Sequence, residues 1–283
     1  MSFPVLRSAH VYPVKSLAAR ACDMVAVEPW GLAGDRRWML VDKASKAVTQ
    51  RQQPFMARIA AEPLSGGGVL LSAPGFPSRR VEGPEAGHML TVELHRDTVV
   101  VEEAPGDAHD WLSAVLGTEV RLVHLDDPSH RRPVDPLFAR PGDMVSLADG
   151  YPLLVTTTAS LDALNALIAT GDRPGEGPLP MDRFRPNVVI GETEAWAEDG
   201  WRRIAIGEVA FTVAKPCGRC VMTTTDQRTA ERGREPLLTL ARHRRFGKQL
   251  VFGQNLIPEG TGVIRVGDPV RILDQQTDRP VDR

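Results

Sequence analysis

Cysteine is scarce in this 283-residue chain: Cys22, Cys217 and Cys220 are the whole set. An odd, sparse count makes no disulfide framework, and a cytoplasmic protein is expected. No run of about 18 apolar residues occurs, which excludes a helix of membrane-spanning length. The start, Met1-Ser-Phe-Pro-Val, lacks a basic segment followed by an apolar run, so neither a secretory leader nor a membrane partner is expected. Net charge is nearly absent too, with 34 basic against 36 acidic residues and a formal balance of −2. Such a chain gives no reason to expect a dedicated nucleic-acid or membrane binder. Lysine is rare beside arginine, 5 against 29. Coding bias produces that imbalance as readily as anion recognition does, so an arginine gains meaning only inside a motif. Internal repeats and low-complexity tracts are missing as well.

What is present is the composition of a folded protein, 42% hydrophobic and 25% charged, long enough for two domains or one large one. The first 125 residues are dominated by short β-branched or apolar runs at 9–14, 24–27, 38–41, 68–71, 89–94 and 98–101, bounded by Gly, Pro and Asp. Residues 95–98 read as a hairpin loop, and one helix is predicted over 108–116 with Asp107 as its cap. From 126 to 143 the chain changes character, with four prolines between 128 and 142, and reads as a linker. The remainder, 144–275, mixes strands at 152–156 and 187–190, a helix ending at 168 capped by Thr158 or Ser160, and a hairpin around Gly207-Glu208. A short helix over 235–244 and a final pair of runs, 263–266 and 270–273, joined by a Gly267-Asp268 turn, complete it; 276–283 is a polar tail. The fold class is therefore α+β and β-rich.

Four stretches carry chemistry. Cys217-Gly-Arg-Cys220 has several readings. Structural zinc needs more ligands than one further thiol supplies, and no His-x-x-x-His spacing occurs. A thioredoxin-type pair opens a helix, whereas Thr223-Thr-Thr225 suits extended chain. Two small thiols packed like hydrophobes is the plainest reading. Lys215 and Arg219 flank the pair, however, and nearby positive charge favours thiolate, a soft ligand for a transition metal. Lys15-Ser16 after a short strand offers an ammonium and a hydroxyl, without the glycines of a P-loop. Gly34-Asp-Arg36-Arg37 leads into a strand whose alternation puts one arginine on each face, and Arg51 repeats the theme. Arg185 and Asn187, two apart, share a face of a strand and offer a rigid cation plus an amide. Taken singly, each is as well explained by a surface ion pair. Together they would serve an anionic cofactor bound between the two halves, with a metal held by a thiolate.

Tyr12-Pro-Val-Lys-Ser16, Gly34-Asp-Arg-Arg-Trp-Met-Leu-Val41, Arg183-Phe-Arg-Pro-Asn187, Cys217-Gly-Arg-Cys220 with Thr223-Thr-Thr-Asp226, Arg234-Glu-Pro-Leu237 and Phe252-Gly253 resemble, in this order, the signature stretches of one family. It is that of the MOSC (molybdenum cofactor sulfurase C-terminal) domain proteins. The likeness is to the subgroup with an N-terminal β-barrel domain, which includes the mitochondrial amidoxime-reducing component and its bacterial relatives, and it runs from about residue 5 to 273. The resemblance implies a β-barrel MOSC domain with an N-terminal β-barrel-like domain. Residues 1–125 and 144–275 correspond to the two. It also implies the molybdenum cofactor (Mo-molybdopterin) between them. By resemblance Cys220 is the molybdenum ligand and catalytic centre, and Cys217 a position not required for ligation. Lys15, Ser16 and Arg36 match cofactor contacts of the N-terminal side, Thr157 and Thr158 a cofactor-contacting strand end, and Arg185 and Asn187 pterin-phosphate contacts. Gly218 stands where relatives carry Ser, so a contact there must come from the backbone.

The activity implied is reduction of N-hydroxylated compounds such as amidoximes, hydroxylamines or N-hydroxylated bases. The four cysteines of a two-iron cluster are absent, so electrons are expected from a separate ferredoxin- or flavin-type reductase. Two other functions compete. Cys220 of a cofactor carrier or sulfur-transfer protein would hold a persulfide or park the cofactor. In a non-enzymatic binding module the cysteine pair would be purely structural.

Overall fold

The apolar runs fold as strands in a computed structural model that describes residues 3–83, 88–95, 97–125, 127–130 and 132–276. In chain order the first half holds β1 (Val5–Val11), β2 (Arg20–Cys22), β3 (Met24–Glu28), β4 (Gly31–Leu32), β5 (Trp38–Val41), β6 (Ala47–Val48), β7 (Ala60–Pro63), β8 (Val69–Ala73), β9 (Phe76–Val81), β10 (Met89–Leu94), β11 (Asp97–Glu103), helix α1 (Gly106–Leu116) and β12 (Arg121–His124). The second half holds β13 (Leu153–Thr157), α2 (Thr158–Ala169), β14 (Val188–Gly191), β15 (Trp201–Ile206), β16 (Val209–Gly218), α3 (Leu237–His243), β17 (Arg245–Phe246), β18 (Gln249–Pro258), β19 (Gly262–Arg265) and β20 (Val270–Gln275). The fold is α+β and rich in strands, as the composition of the runs requires.

The largest sheet runs β2-β1-β14-β13-β18-β16-β15-β20, with β17 on β18. It curls until its ends meet: Val5 bridges Pro269, and the Val270 amide donates to Pro4 O at 2.8 Å. Its inner face is a core built around Leu6, Val155, Val188, Ile206, Phe211 and Leu256. A five-stranded sheet, β10-β11-β12-β5-β6, and a three-stranded one, β7-β8-β9, form the rest of the first half around Trp38, Leu40, Trp111 and Leu122. The halves are interlocked. β1 and β2 are strands of the second half's sheet, and β3 pairs with β19 in register Val25↔Ile264. The proline-rich segment between them is anchored as well. Val134 is buried, and Arg132 donates to Ser146 O at 3.1 Å and Asp149 O at 3.0 Å.

Several local expectations need correction. Helix α1 has Pro105 at its cap and no side-chain cap; Asp107 lies in the first turn, paired with Arg79 at 3.0 Å. Helix α2 is capped by Thr157, whose hydroxyl accepts from the Ser160 amide, rather than by Thr158 or Ser160. The runs at 263–266 and 270–273 do not pair with each other: β19 joins β3 and β20 joins β15. Residues Val221–Thr224 form a 3-10 turn, not extended chain. β18 escapes a reading by alternation because it lies between β13 and β16 and is buried on both faces over most of its length. Of the segments expected to be loop or tail, positions 96, 126, 131 and 277–283 lie outside the described residues.

One contact fixes the loop ahead of β14. Phe184, fully buried, stacks on Phe252 of β18 with centroids 3.9 Å apart, worth about 1 kcal/mol beyond burial. The next residue on the strand, Gly253, has φ +79°, and a Cβ there would sit 2.6 Å from Val155 O and 2.8 Å from Thr156 Cγ2. Left-handed backbone costs an L-residue about 1–2 kcal/mol, and the overlap with β13 backbone adds to it. Gly253→Ala should therefore lower unfolding stability by about 2 kcal/mol or more, read as a shift of the urea midpoint. A midpoint within error of the parent would contradict this packing.

Candidate functional site

Where β1 ends, the chain turns through Pro13 to Lys15 and Ser16 and comes up against the segments that lead into β5, β13 and β14. These segments enclose a cavity of about 340 Å³, with Lys15, Ser16, Arg36, Arg51, Asp149, Arg183, Arg185, Asn187, Lys215, Cys217, Gly218, Arg219 and Cys220 in its wall. Of the sequence-derived site residues, the structure brings together Lys15, Ser16, Arg36, Arg185, Asn187, Gly218 and Cys220. It does not bring Thr157 or Thr158 to the wall. Thr157, the last residue of β13, is buried and its hydroxyl donates to Glu198 at 3.2 Å, and Thr158 opens α2.

Tyr12 is the hub of the cationic end. Its ring lies between the guanidiniums of Arg36 and Arg185, each 4.2 Å from the centroid, and its hydroxyl donates to Pro186 O at 3.1 Å. Burial pushes the Tyr12 phenol up to about 12 despite the two arginines, so it remains a neutral platform. Arg36 donates to Asn187 Oδ1 at 2.9 Å and pairs with Asp35 at 2.5 Å. Arg37 instead donates to Leu125 O at 3.0 Å, so it is Arg36 that faces the cavity. Asn187 also takes the Leu154 amide at 3.2 Å and donates to His10 O at 3.2 Å, tying β1 to β13. Arg185 and Asn187 do not share a strand face as expected. Arg185 sits at φ +55° in the turn before β14, which begins only at Val188. Ser16 and Arg36 also have positive φ, 67° and 48°. Three non-glycine wall residues in the left-handed region is strain concentrated at a site.

The electrostatics are one-sided. Among the described residues seven cations line the wall, Lys15, Arg36, Arg51, Arg183, Arg185, Lys215 and Arg219, against the single carboxylate of Asp149. Burial, with Arg132 and Arg36 nearby, brings the Lys15 ammonium down to about 8 even though it pairs with Asp149. Burial and Arg36 likewise bring Arg185 down to about 10. Enclosure works to raise the Asp149 carboxyl, but Lys15 and His95 outweigh it and hold the group well below the ordinary range. Arg185 Nη1 donates to Gln227 at 3.3 Å, whereas its Nη2 is buried with no hydrogen-bond partner among the described residues. A buried guanidinium nitrogen without an acceptor is costly, and an anion in the cavity would supply one.

At the other end are the thiols. β16 carries Cys217, whose sulfur accepts from Arg219 Nη1 at 2.9 Å, and Cys220 follows just before the 3-10 turn. Arg51 lies beside Cys220: burial works against its charge, yet Asp149 and the Cys220 sulfur hold the guanidinium above its ordinary value. Gly218 in the wall leaves no room for a larger residue without moving Gln249, 3.3 Å from a Cβ placed there. Among the described residues no three His, Cys, Asp or Glu side chains gather as a metal site. A metal seated here would need ligands of its own besides a thiolate. The wall therefore fits an anionic, heteroatom-rich group that carries a thiophilic metal, and the molybdenum cofactor has that chemistry.

Sequence reasoning missed Tyr12 as a platform, Asp149 and Tyr151. An Asp-Gly turn entering a buried strand was the available signal for the last two.

Residues 3–119 match the family described as MOSC N-terminal beta barrel domain, and residues 142–271 match the MOSC domain. The chain is 31% identical, over 94% of its own length and 82% of the relative's, to mitochondrial amidoxime-reducing component 1 of Homo sapiens. The Danio rerio protein of the same name is 32% identical over 92% and 82%. The chain belongs to the MOSC-domain family. A third member, molybdenum cofactor sulfurase of Anopheles gambiae, is 32% identical over 86% of this chain but only 33% of that protein. The cavity of this MOSC protein thus lies where its two family domains meet, and its wall draws on both.

Lys15 supplies a pH test of the cationic end. In cofactor-free protein, pyrophosphate used as a probe should bind well at neutral pH and progressively more weakly as pH rises through about 8, where the ammonium loses its proton. Lys15→Met should remove that dependence. Titration calorimetry giving a flat wild-type affinity across this range would contradict the assignment.

Proposed function

We propose that this protein is a molybdenum-cofactor-dependent reductase of N-hydroxylated compounds that receives its electrons from a separate donor protein. The observation that carries the reading is the pairing, in one cavity, of a cationic end with a free buried donor, Arg185 Nη2, and a thiol end where Arg51 lies beside Cys220. Lys15, Arg36 and Arg185 would hold the cofactor's phosphate, with Tyr12 and Asn187 keeping the two guanidiniums in place. Ser16 and the Gly218 backbone would meet its polar edges. Cys220 would hold the metal as thiolate, and Arg51 would stabilise that negative sulfur by charge. When bound, the cofactor supplies a two-electron centre suited to cleaving an N–O bond, while the chain supplies binding, orientation and charge. Removing oxygen from R–NHOH to give R–NH2 and water consumes two electrons and two protons. Electrons must therefore arrive from outside, through a ferredoxin- or flavin-type donor in our reading.

The likeness to a relative named molybdenum cofactor sulfurase favours a second reading, in which Cys220 carries sulfur or parks the cofactor for delivery. Turnover of an amidoxime with an artificial reductant separates the two: a reductase consumes the substrate over many cycles, a carrier does not.

The two cysteines differ in their neighbours, and their variants should differ accordingly. Cys220→Ala should reduce molybdenum content and amidoxime turnover by at least about 10-fold. Cys217→Ala loses only a sulfur bonded to Arg219 and should keep most of both. Equal behaviour of the two variants, by metal analysis and turnover, would sink the assignment of Cys220.

A further inference from the structure

One cation in the wall stands apart from those gathered around Tyr12. Lys215 lies on β16 opposite Asn255 of β18, and its ammonium is packed against two aromatic faces, 4.6 Å from the Phe138 centroid and 5.6 Å from that of Tyr151. Among the described residues no carboxylate pairs with it, unlike Lys15 with Asp149, Arg36 with Asp35 and Arg183 with Asp226. The Tyr151 hydroxyl, in the same wall, is buried and has no hydrogen-bond partner among the described residues. Asn255 commits its Nδ2 to the carbonyls of Lys215 at 3.3 Å and Pro216 at 3.4 Å, so the group it can offer a ligand is its amide oxygen. An ammonium fixed by aromatic rings but lacking a counter-ion, beside an unused hydroxyl donor, is a half-built site for an anion.

We propose that Lys215 and Tyr151, with Phe138 holding the ammonium from behind, form the substrate subsite of the cavity and select N-hydroxylated compounds that carry a carboxylate. The inference rests on the reductase reading and names its substrate class. The substrate's carboxylate accepts from the Lys215 ammonium and the Tyr151 hydroxyl. Lys215 is two residues from Cys217 and five from Cys220 along the chain, so a substrate anchored there lies in the cavity that the metal-binding thiol lines. The anions of the cofactor are already served by the separate group of Lys15, Arg36 and Arg185.

The test compares N-hydroxybenzamidine with its 4-carboxylate on the cofactor-loaded protein, and benzamidine with 4-amidinobenzoate as non-reducible binding probes. Wild type should favour the carboxylate of each pair by about 10-fold or more, the gain of a charge-assisted hydrogen bond, expressed in KM and in Kd. In Lys215→Met both ratios should fall to about one. Lys215→Arg, which keeps the charge, should retain the preference. A wild type indifferent to the carboxylate, or a preference that survives Lys215→Met, overturns the subsite. So does a loss of molybdenum and pterin from Lys215→Met, because Lys215 would then serve the cofactor's phosphate. Failure to turn over either amidoxime by loaded wild type overturns the reductase reading instead, and the binding pair still decides the subsite.

Discussion

Buried positive charge is the constraint on which the rest of this structure depends. Lys15, Arg36 and Arg185 are brought together with Asp35 and Asp149 as the acids beside them, and cations so placed repel one another in a medium of low dielectric. The chain offsets part of the cost with the two faces of the Tyr12 ring, each such contact worth about 0.5–2 kcal/mol, and with the Asn187 amide. The remainder is left for a ligand, as the unpartnered Arg185 Nη2 records. Such a cavity is more stable filled by an anion than empty, and that linkage makes anion binding part of the stability of the protein.

The interlocking of the halves follows from the same requirement. β1 runs in the second half's sheet and delivers Tyr12, Lys15 and Ser16 at its end, while β13 and β14 beside it deliver Leu154 and the Arg185–Asn187 turn. Phe184 stacked on Phe252 fixes that turn against β18, and Arg132 fixes the segment that presents Asp149. Strands therefore set the position of each charged group, and the left-handed turns at Ser16, Arg36 and Arg185 aim them. Cys217 lies at the end of β16 and Cys220 just beyond it, so the distance between the cationic end and the thiol end is held by one sheet.

Much of this was legible in the sequence, and its limits are physical. Strands with one wet face, such as β3 and β10, show alternation, and their runs were read correctly. β18 shows none because both its faces are dry, and its kink at Gly253 is a matter of backbone approach that no periodicity encodes. Lys15, Ser16, Arg36, Arg185, Asn187, Gly218 and Cys220 were singled out by chemistry and family likeness, and they line one cavity. The choice between Arg36 and Arg37 was not readable, because a left-handed Arg36 ahead of β5 breaks the alternation that would assign faces. Thr157 carried the signature of a polar residue at a strand end, which a helix cap satisfies equally; the structure places it there, bonded to Glu198 and away from the cavity. Tyr12 and Asp149 owe their place in the site to neighbours more than 20 residues away in the chain, and so does Lys215 its aromatic setting.

The central claim is that a cationic cavity ending in one metal-binding thiol holds the molybdenum cofactor. Its most direct test is molybdenum per protein, with pterin detected by fluorescence after oxidation, on protein made in a host shown to load another molybdoenzyme. The account predicts near-stoichiometric molybdenum accompanied by pterin. Protein free of both from such a host would contradict it, and would return Cys217 and Cys220 to the role of packed structural thiols.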